Sequence, residues 1–455
     1  MKGTGRRAFR AEIVHLIDDP VVARDRAHEH WSDGLLVLAD GKVESCGDAP
    51  TLLATLPPNT EIIDYSGKLI VPGFIDAHVH YPQTDIVAAY GEKLLEWLTR
   101  YTFPTERRFD DPAYAREVAD FFLAELLRNG TTTAAVFATV HPESVDAFFA
   151  SAQALGARMI AGKVMMDRNC PPDLCDTAET SYEDSKALIE RWHRRDRLLY
   201  AVTPRFAPTS TERQLELAGR LLDEHDGLYL QSHVAENADE VTWVAELYPW
   251  SRSYLDVYDC FGLVRERALY AHCLHLNATD RDRMGATGAA MVFCPTSNLF
   301  LGSGLFDVDA ARRHRVPVAV GTDVGAGTSF SMLRTLDEGY KVAHLLHHRL
   351  SPFAALHLAT LGGAQALRLD DRIGNFALGK EGDFVVLDFA ATPLLARRMQ
   401  SAATIDERLF ALLMLGDDRC VAATYLMGEQ RHARDNAFKS SADLAISGPH
   451  NQHCA

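Results

Sequence analysis

Eight apolar stretches, each followed by a segment of helical periodicity, constrain this chain more than any other feature. They run Lys68–Asp76, Thr131–Thr139, Arg158–Met165, Leu198–Phe206, Gly227–Glu236, Ala268–Leu276, Ala289–Asn298 and Pro317–Gly325. Each is rich in Val, Ile, Leu, Ala or Phe without strict alternation, the pattern of strands buried on both faces. Amphipathic helices fit between them, for example over Pro112–Arg128, Glu143–Leu155, Tyr182–Arg194 and Thr211–Glu224. Asn129-Gly130 stops the first of these and Gly156 the second. Eight strand–helix units over roughly 300 residues predict an α/β fold, a (β/α)8 TIM barrel.

The flanks read as β structure. Gly34–Val37 and Lys42–Cys46 bracket Asp40-Gly41, a hairpin turn whose two central residues tolerate positive φ. Strand signals return at Phe384–Asp388 and at Val421–Met427, with a turn at Gly428. Neither flank has enough strands for a core of its own, so the two are expected to merge into a small composite β-sandwich domain. The expected division is 1–71 and 371–435 for its two halves, 72–370 for the barrel, and 436–455 for a polar tail with no structural assignment.

Composition narrows the function classes. With 46 Lys+Arg against 62 Asp+Glu the net charge is −16, so the basic footprint of a nucleic-acid binder is missing. A single nucleobase, which has no phosphate, is not excluded. No apolar run reaches the roughly 18–20 residues of a membrane span, and no membrane partner is expected. The basic start (Lys2, Arg6, Arg7) lacks a following apolar stretch and does not read as a signal peptide. Eight scattered cysteines form no CxxC, which points to free thiols and a cytoplasmic location.

In this fold the chemistry sits at the C-terminal ends of the strands. There the sequence puts Asp76-Ala77-His78-Val79-His80, Arg205-Phe206, His233 with Glu236, His272 and Asp323. His78 and His80 are two apart on an extended chain, so they point the same way and can grip one cation. His233 and Asp323 could complete a shell of three nitrogens and one oxygen with a position left for water, a catalytic arrangement. Zinc suits these donors, and iron or manganese also fits them. Singly, His272 also reads as a core histidine, and Asp323 as the N-cap of a helix near Ser329–Leu346. Their joint placement on strand ends favours a site.

Val71-Pro72-Gly73-Phe74-Ile75-Asp76-Ala77-His78-Val79-His80 resembles the opening motif of the amidohydrolase superfamily, and Gly379-Lys380-Glu381-Gly382-Asp383-Phe384 resembles its closing segment. The order HxH, His, His, Asp over strands one, five, six and eight belongs to the same pattern. Within the superfamily the chain is similar to the guanine deaminases. This likeness rests on His80-Tyr81-Pro82-Gln83-Thr84-Asp85, Leu94-Leu95-Glu96-Trp97-Leu98, Tyr101-Thr102-Phe103-Pro104, Pro204-Arg205-Phe206-Ala207-Pro208 and Ser232-His233-Val234-Ala235-Glu236.

The resemblance implies one Zn2+ per subunit on His78, His80, His233 and Asp323, hydrolysis of guanine to xanthine and ammonia with water as co-substrate, and a homodimer. It implies substrate contacts at His80, Tyr81, Pro82, Gln83, Arg205, Phe206, His233, Glu236 and Asp323. Glu236 is expected to protonate N3 and then serve the departing amine. His272 would orient the attacking oxygen, and Asp323 would take a proton from the water. Arg205 would donate to O6 and N7, as arginine does to guanine in DNA. Gln83 could satisfy O6 or a ring N–H, and Phe206 offers a ring face for stacking. The alternative is another aminohydrolase or a chlorohydrolase acting on a related purine, pyrimidine or triazine.

Three further features carry expectations. Lys163 is read as an internal ion pair rather than a bridging metal ligand. His141-Pro142-Glu143 mimics half of a deaminase zinc signature but is read as a helix start. The segment Tyr81–Phe109 is long for a βα loop. Its apolar set Leu94, Leu95, Trp97, Leu98, Tyr101 and Phe103 is expected to be covered by the β domain or by a second subunit.

Overall fold

Four strands precede the barrel in a computed structural model that describes residues 5–90 and 93–434: β1 (Arg6–Leu16), β2 (His28–Ala39), β3 (Lys42–Asp48) and β4 (Glu61–Pro72). The tail at 436–455 lies outside the described residues. The barrel strands follow as β5 (Phe74–His80), β6 (Thr131–Phe137), β7 (Arg158–Gly162), β8 (Val164–Met165), β9 (Leu199–Pro204), β10 (Tyr229–Val234), β11 (Ala268–His272), β12 (Ala290–Phe293) and β13 (Val318–Val320). Three more close the chain: β14 (Phe384–Leu387), β15 (Val421–Leu426) and β16 (Glu429–Ala433).

Neighbouring barrel strands pair in parallel from β5 through β13, with β8 resuming the third position after a break at Lys163. The ring closes between the first strand and the chain beyond the last. Asp323 N–H donates to the His78 carbonyl at 2.9 Å, and His80 N–H donates to the Val324 carbonyl at 2.7 Å. Gly321 permits this approach: a Cβ there would stand 2.8 Å from His78 Cβ. The strands bury small and branched side chains inside the ring, including Ile75, Ala135, Ile160, Ala201 and Leu269. From below, Ala364, Leu367, Leu369 and Ile373 fill one end. The other end is left for polar groups.

The first predicted run serves two sheets. Its beginning, to Pro72, is the end of β4 and pairs with β14; the barrel strand starts only at Phe74. Both halves are buried, so no polar residue marks the joint. The later predicted runs outlast their strands for a related reason. After β12 the chain turns into a helix at Pro295–Phe300, and the apolar residues beyond the strands pack into the barrel mouth. The helix Pro112–Arg128 is as expected. The helix predicted over Tyr182–Arg194 instead spans Ala178–Trp192, because a Thr177 capping box starts it among polar residues.

The flanks form one seven-stranded sheet, ordered β16-β15-β14-β4-β1-β2-β3. The sheet folds over on itself, giving the composite sandwich that the sequence predicts. Gly382 N–H reaches the Gly41 carbonyl at 2.7 Å, and Val43 N–H reaches the Lys380 carbonyl at 2.8 Å. Asp40 and Gly41 both have positive φ in the turn. Alternate residues of β4 and β14 face opposite ways. Ile70, Phe384 and Val386 enter the sandwich with Phe9, Leu36 and Tyr425, while Leu69, Val71, Val385 and Leu387 pack against the barrel's helices.

Where sandwich meets barrel floor, a buried ion cluster ties them. Arg158 Nε donates to Glu381 at 2.7 Å, and Arg197 donates to Glu381 at 2.6 Å, to Asp383, and to the Gly156 carbonyl at 2.8 Å. The segment Gly379–Phe384 singled out from sequence supplies both carboxylates.

Candidate metal centre and adjoining cleft

The strand ends bring the predicted ligands together. His78 and His80 project from β5 on one face, His233 from β10, and Asp323 from the turn after β13. His78 Nε2 and His80 Nε2 lie 3.2 Å apart, and His80 Nε2 and His233 Nε2 also 3.2 Å. Asp323 Oδ1 is 3.2 Å from His78 Nε2 and 3.4 Å from His80 Nε2. A tetrahedral ion with ligand atoms about 2.0–2.1 Å away needs those atoms about 3.3 Å from one another. The four donors are spaced for such an ion. Their chemistry fits as well. Burial drives His80 down to about 4 and His233 well below its ordinary value, so both imidazoles are neutral. Burial works to raise the Asp323 carboxyl, but the electrostatic attraction of His78 and the hydrogen bonds of His78 and His80 outweigh it and hold the group well below the usual carboxylate range.

Neighbouring side chains fix the ligands. His233 Nδ1 faces the Arg205 carbonyl at 2.7 Å. The fully buried Asp76 accepts Thr322 N–H at 3.0 Å and the Thr322 hydroxyl, which pins the turn that carries Asp323. Asp323 and His272 both adopt left-handed backbone, with φ of 52° and 71°. Nothing in a residue string announces such a turn for a non-glycine. Asp323 is not a helix cap: Ser331 caps the helix Met332–Leu345.

Glu236 and His272 stand beside this cluster. His272 Nε2 lies 3.4 Å from Glu236 Oε2 and 3.9 Å from Asp323 Oδ2. Burial, then the charges of Asp323 and Glu240, raise the Glu236 carboxyl well above its ordinary range, although Ser303 donates to it at 3.2 Å. The environment of Glu236 thus favours its protonated form. Burial lowers His272 to about 3, and Asn298 contacts its Nδ1 at 2.9 Å. Ser303 and Asn298 escaped the sequence reading because they lie in or just beyond an apolar run taken whole as strand.

The cleft in front of the cluster is lined by Gln83, Trp97, Leu98, Arg205 and Phe206 as well as by the ligands His80, His233 and Asp323. Tyr81 does not line it: its hydroxyl donates to the Ser144 carbonyl at 2.6 Å and its ring packs on Phe109 and Phe148. Pro82 is buried in the adjoining turn and does not line it either. Arg205 is not a free fork. Its Nη1 and Nη2 donate to Glu106 at 2.6 and 3.0 Å, and Gln83 Nε2 donates to the same carboxylate at 3.1 Å. Glu106 was missed from sequence, although a carboxylate two residues beyond Phe103-Pro104 in an apolar stretch was a signal to follow.

Within the chain, most of the long loop's apolar set is covered by its own barrel rather than by the sandwich. Leu94, Trp97, Leu98 and Phe103 fold over the mouth of their own barrel, against Phe137, Val164, Phe206 and Leu301. Lys163 is fully buried and paired with Asp176, as the ion-pair reading held. Pro142 opens the helix Pro142–Leu155. No helix among the described residues is long and apolar enough to cross a membrane.

Comparison with known proteins follows the same line. The profile of the amidohydrolase family matches residues 69–431. The chain is 52% identical to the guanine deaminase of Escherichia coli (strain K12) over 93% of this chain and 96% of that one. It is 42% identical to a probable guanine deaminase of Deinococcus radiodurans over 94% and 99%. The solved E. coli guanine deaminase superposes with a TM-score of 0.92 over 94% of this chain and all of the other. A guanine deaminase from C. acetobutylicum with guanine bound in its active site superposes with a TM-score of 0.85 at 29% identity, over 94% and 100%.

Proposed function

The chain belongs to the amidohydrolase family, and we propose that it hydrolyses guanine to xanthine and ammonia. One observation carries this reading: a single cleft joins a four-donor cation site and the buried carboxyl of Glu236 to groups that complement the edge of guanine. The strong likeness to guanine deaminases over nearly the whole chain supports it.

His78, His80, His233 and Asp323 would hold the cation, and three imidazoles with one carboxylate favour zinc. When bound, the ion supplies the Lewis acidity that makes water a nucleophile near neutral pH. The remaining chemistry belongs to side chains. Glu236, whose surroundings favour the acid form, gives its proton to N3 as C2 becomes tetrahedral. Asp323 takes a proton from the attacking water, and His272 orients that water through Nε2. Glu236, left ionised, takes the proton of the new C2 hydroxyl as the carbonyl forms and passes it to the departing amine, and the proton held on Asp323 then restores Glu236. Phe206 and Trp97 hold the ring plane, and Gln83 with the unused N–H groups of Arg205 receives the O6–N1 edge. We place the protein in the cytoplasm, a reading supported by seven free thiols among the described residues. We also keep 72–370 as the catalytic barrel and the two flanks as one supporting domain.

The test is ammonia release from a panel of guanine, adenine, cytosine and triazines. Guanine should be the preferred substrate by a wide margin. Faster release from any other member would sink the assignment.

A further inference from the structure

The carboxylate behind the cleft points to a role beyond pairing with arginine. Glu106 is 1% exposed and does not line the cleft, yet it touches both groups that present hydrogen bonds to the far edge of a bound base. A carboxylate only accepts hydrogen bonds. Facing Glu106, the Gln83 side chain must therefore turn its nitrogen inward, and it does so at 3.1 Å. Its oxygen meets Gly325 N–H at 3.3 Å on the opposite side. That approach needs a glycine, since a Cβ at 325 would lie 2.6 Å from the Gln83 carbonyl. The two contacts agree and leave one amide hydrogen and one oxygen lone pair in a fixed order.

We infer that Glu106 is a positioning residue that locks the Gln83 amide against rotation and so selects bases carrying O6 and N1–H over bases carrying a 6-amino group and a bare N1. The inference rests on the reading of the cleft as a guanine site. With the amide locked, a guanine edge finds a donor for O6 and an acceptor for N1–H. A 6-amino base offers the reverse order and leaves buried polar groups unpaired, which sites of this kind punish heavily. A glutamine at 106 can face Gln83 with either its oxygen or its nitrogen, so the lock is lost while shape and volume stay. An aspartate keeps an acceptor-only group.

The probe is 2,6-diaminopurine, which keeps the amine at C2 and reverses the edge at C6 and N1. Guanine and 2,6-diaminopurine are supplied together to the metal-loaded full chain, and products are separated by chromatography. This gives the ratio of their kcat/KM values independently of how much of a variant is folded. Wild type should strongly favour guanine. In Glu106→Gln the ratio should fall by about tenfold or more, and in Glu106→Asp it should stay within about threefold of wild type even if both rates drop. An unchanged ratio in Glu106→Gln, or an equal collapse in Glu106→Asp, overturns the inference. Loss of all turnover in both variants also overturns it, since a residue that only orients Gln83 leaves the metal ligands and Glu236 intact. Failure of wild type to turn over guanine would instead strike at the proposed function.

Discussion

The molecule buries arginine–carboxylate clusters at both ends of its barrel, and they differ in what stands beside them. At the floor, Arg197 spends Nε, Nη1 and Nη2 on Glu381, Asp383 and the Gly156 carbonyl, while Arg158 adds a second fork on Glu381. At the mouth, Arg205 gives one hydrogen from each terminal nitrogen to Glu106, and its other N–H groups border the cleft. The floor cluster borders no part of the cleft and serves to hold the two parts of the structure together. An arginine with spare donors beside an open cavity is prepared for a ligand, because desolvated donors without partners cost free energy until something fills them. The same residue pair is thus a rivet in one place and, in the proposed reading, half of a recognition site in the other.

The sharpest way to break this contrast is to remove the ion ligands at the mouth. His78→Ala or His233→Ala should lose bound metal, measured by elemental analysis, together with essentially all ammonia release. Chelation of wild type should do the same, reversed by added zinc. Next in size, Glu236→Gln should bind metal and guanine but lose about 10²–10⁴-fold in kcat, the usual worth of an acid–base group. Retention of more than about a tenth of kcat would pass the proton carrier's role to His272.

Breaking one arginine at each end tests the comparison directly. Arg205→Ala and Arg197→Ala each strand a buried carboxylate, at a cost of about 3–5 kcal/mol, and both should lower the melting temperature. Only Arg205→Ala should also collapse the preference for guanine over 2-aminopurine, which keeps the scissile amine and lacks O6. An Arg197→Ala enzyme that melts early but keeps the wild-type preference fits the distinction; a changed preference would erase it.

The smallest effect is expected beyond the floor, in the sandwich. Burial lowers His15 there to about 4 from an ordinary 6.5. Its folded pKa lies below the unfolded one, so the stability it contributes is present above about pH 6.5 and is lost as pH falls towards 4. Denaturant unfolding should show stability declining across that window, and His15→Phe should flatten the slope.

What the sequence made legible follows from burial. Strands wet on no face advertise themselves, so all eight barrel positions were readable, and the HxH spacing located the metal donors. Apolar continuity also misled. It hid the joint at Gly73 and lengthened the strands at Ala289–Asn298 and Pro317–Gly325. Partnerships that reach across the chain left little trace. Glu106 and Arg205 are ninety-nine residues apart, and no local pattern links them. The apolar segment around Trp97 was noticed, but which surface it covers depends on where the loop folds, which a periodicity argument cannot supply.

The joint at Gly73 has a consequence for how the site is measured out. One residue separates a strand registered against β14, with Phe384 opposite Pro72, from a strand registered against β6, with Phe74 opposite Thr131. Gly73 N–H is itself held by the Asp383 carbonyl at 3.0 Å. The outer sheet is therefore a datum from which the two histidines are dimensioned, five and seven residues beyond a fixed mark. Because side chains on a strand change face at every step, adding or deleting one residue at this mark would turn both imidazoles out of the mouth while leaving each sheet intact. A domain with no atom in the cleft sets the tolerance to which the cleft is built.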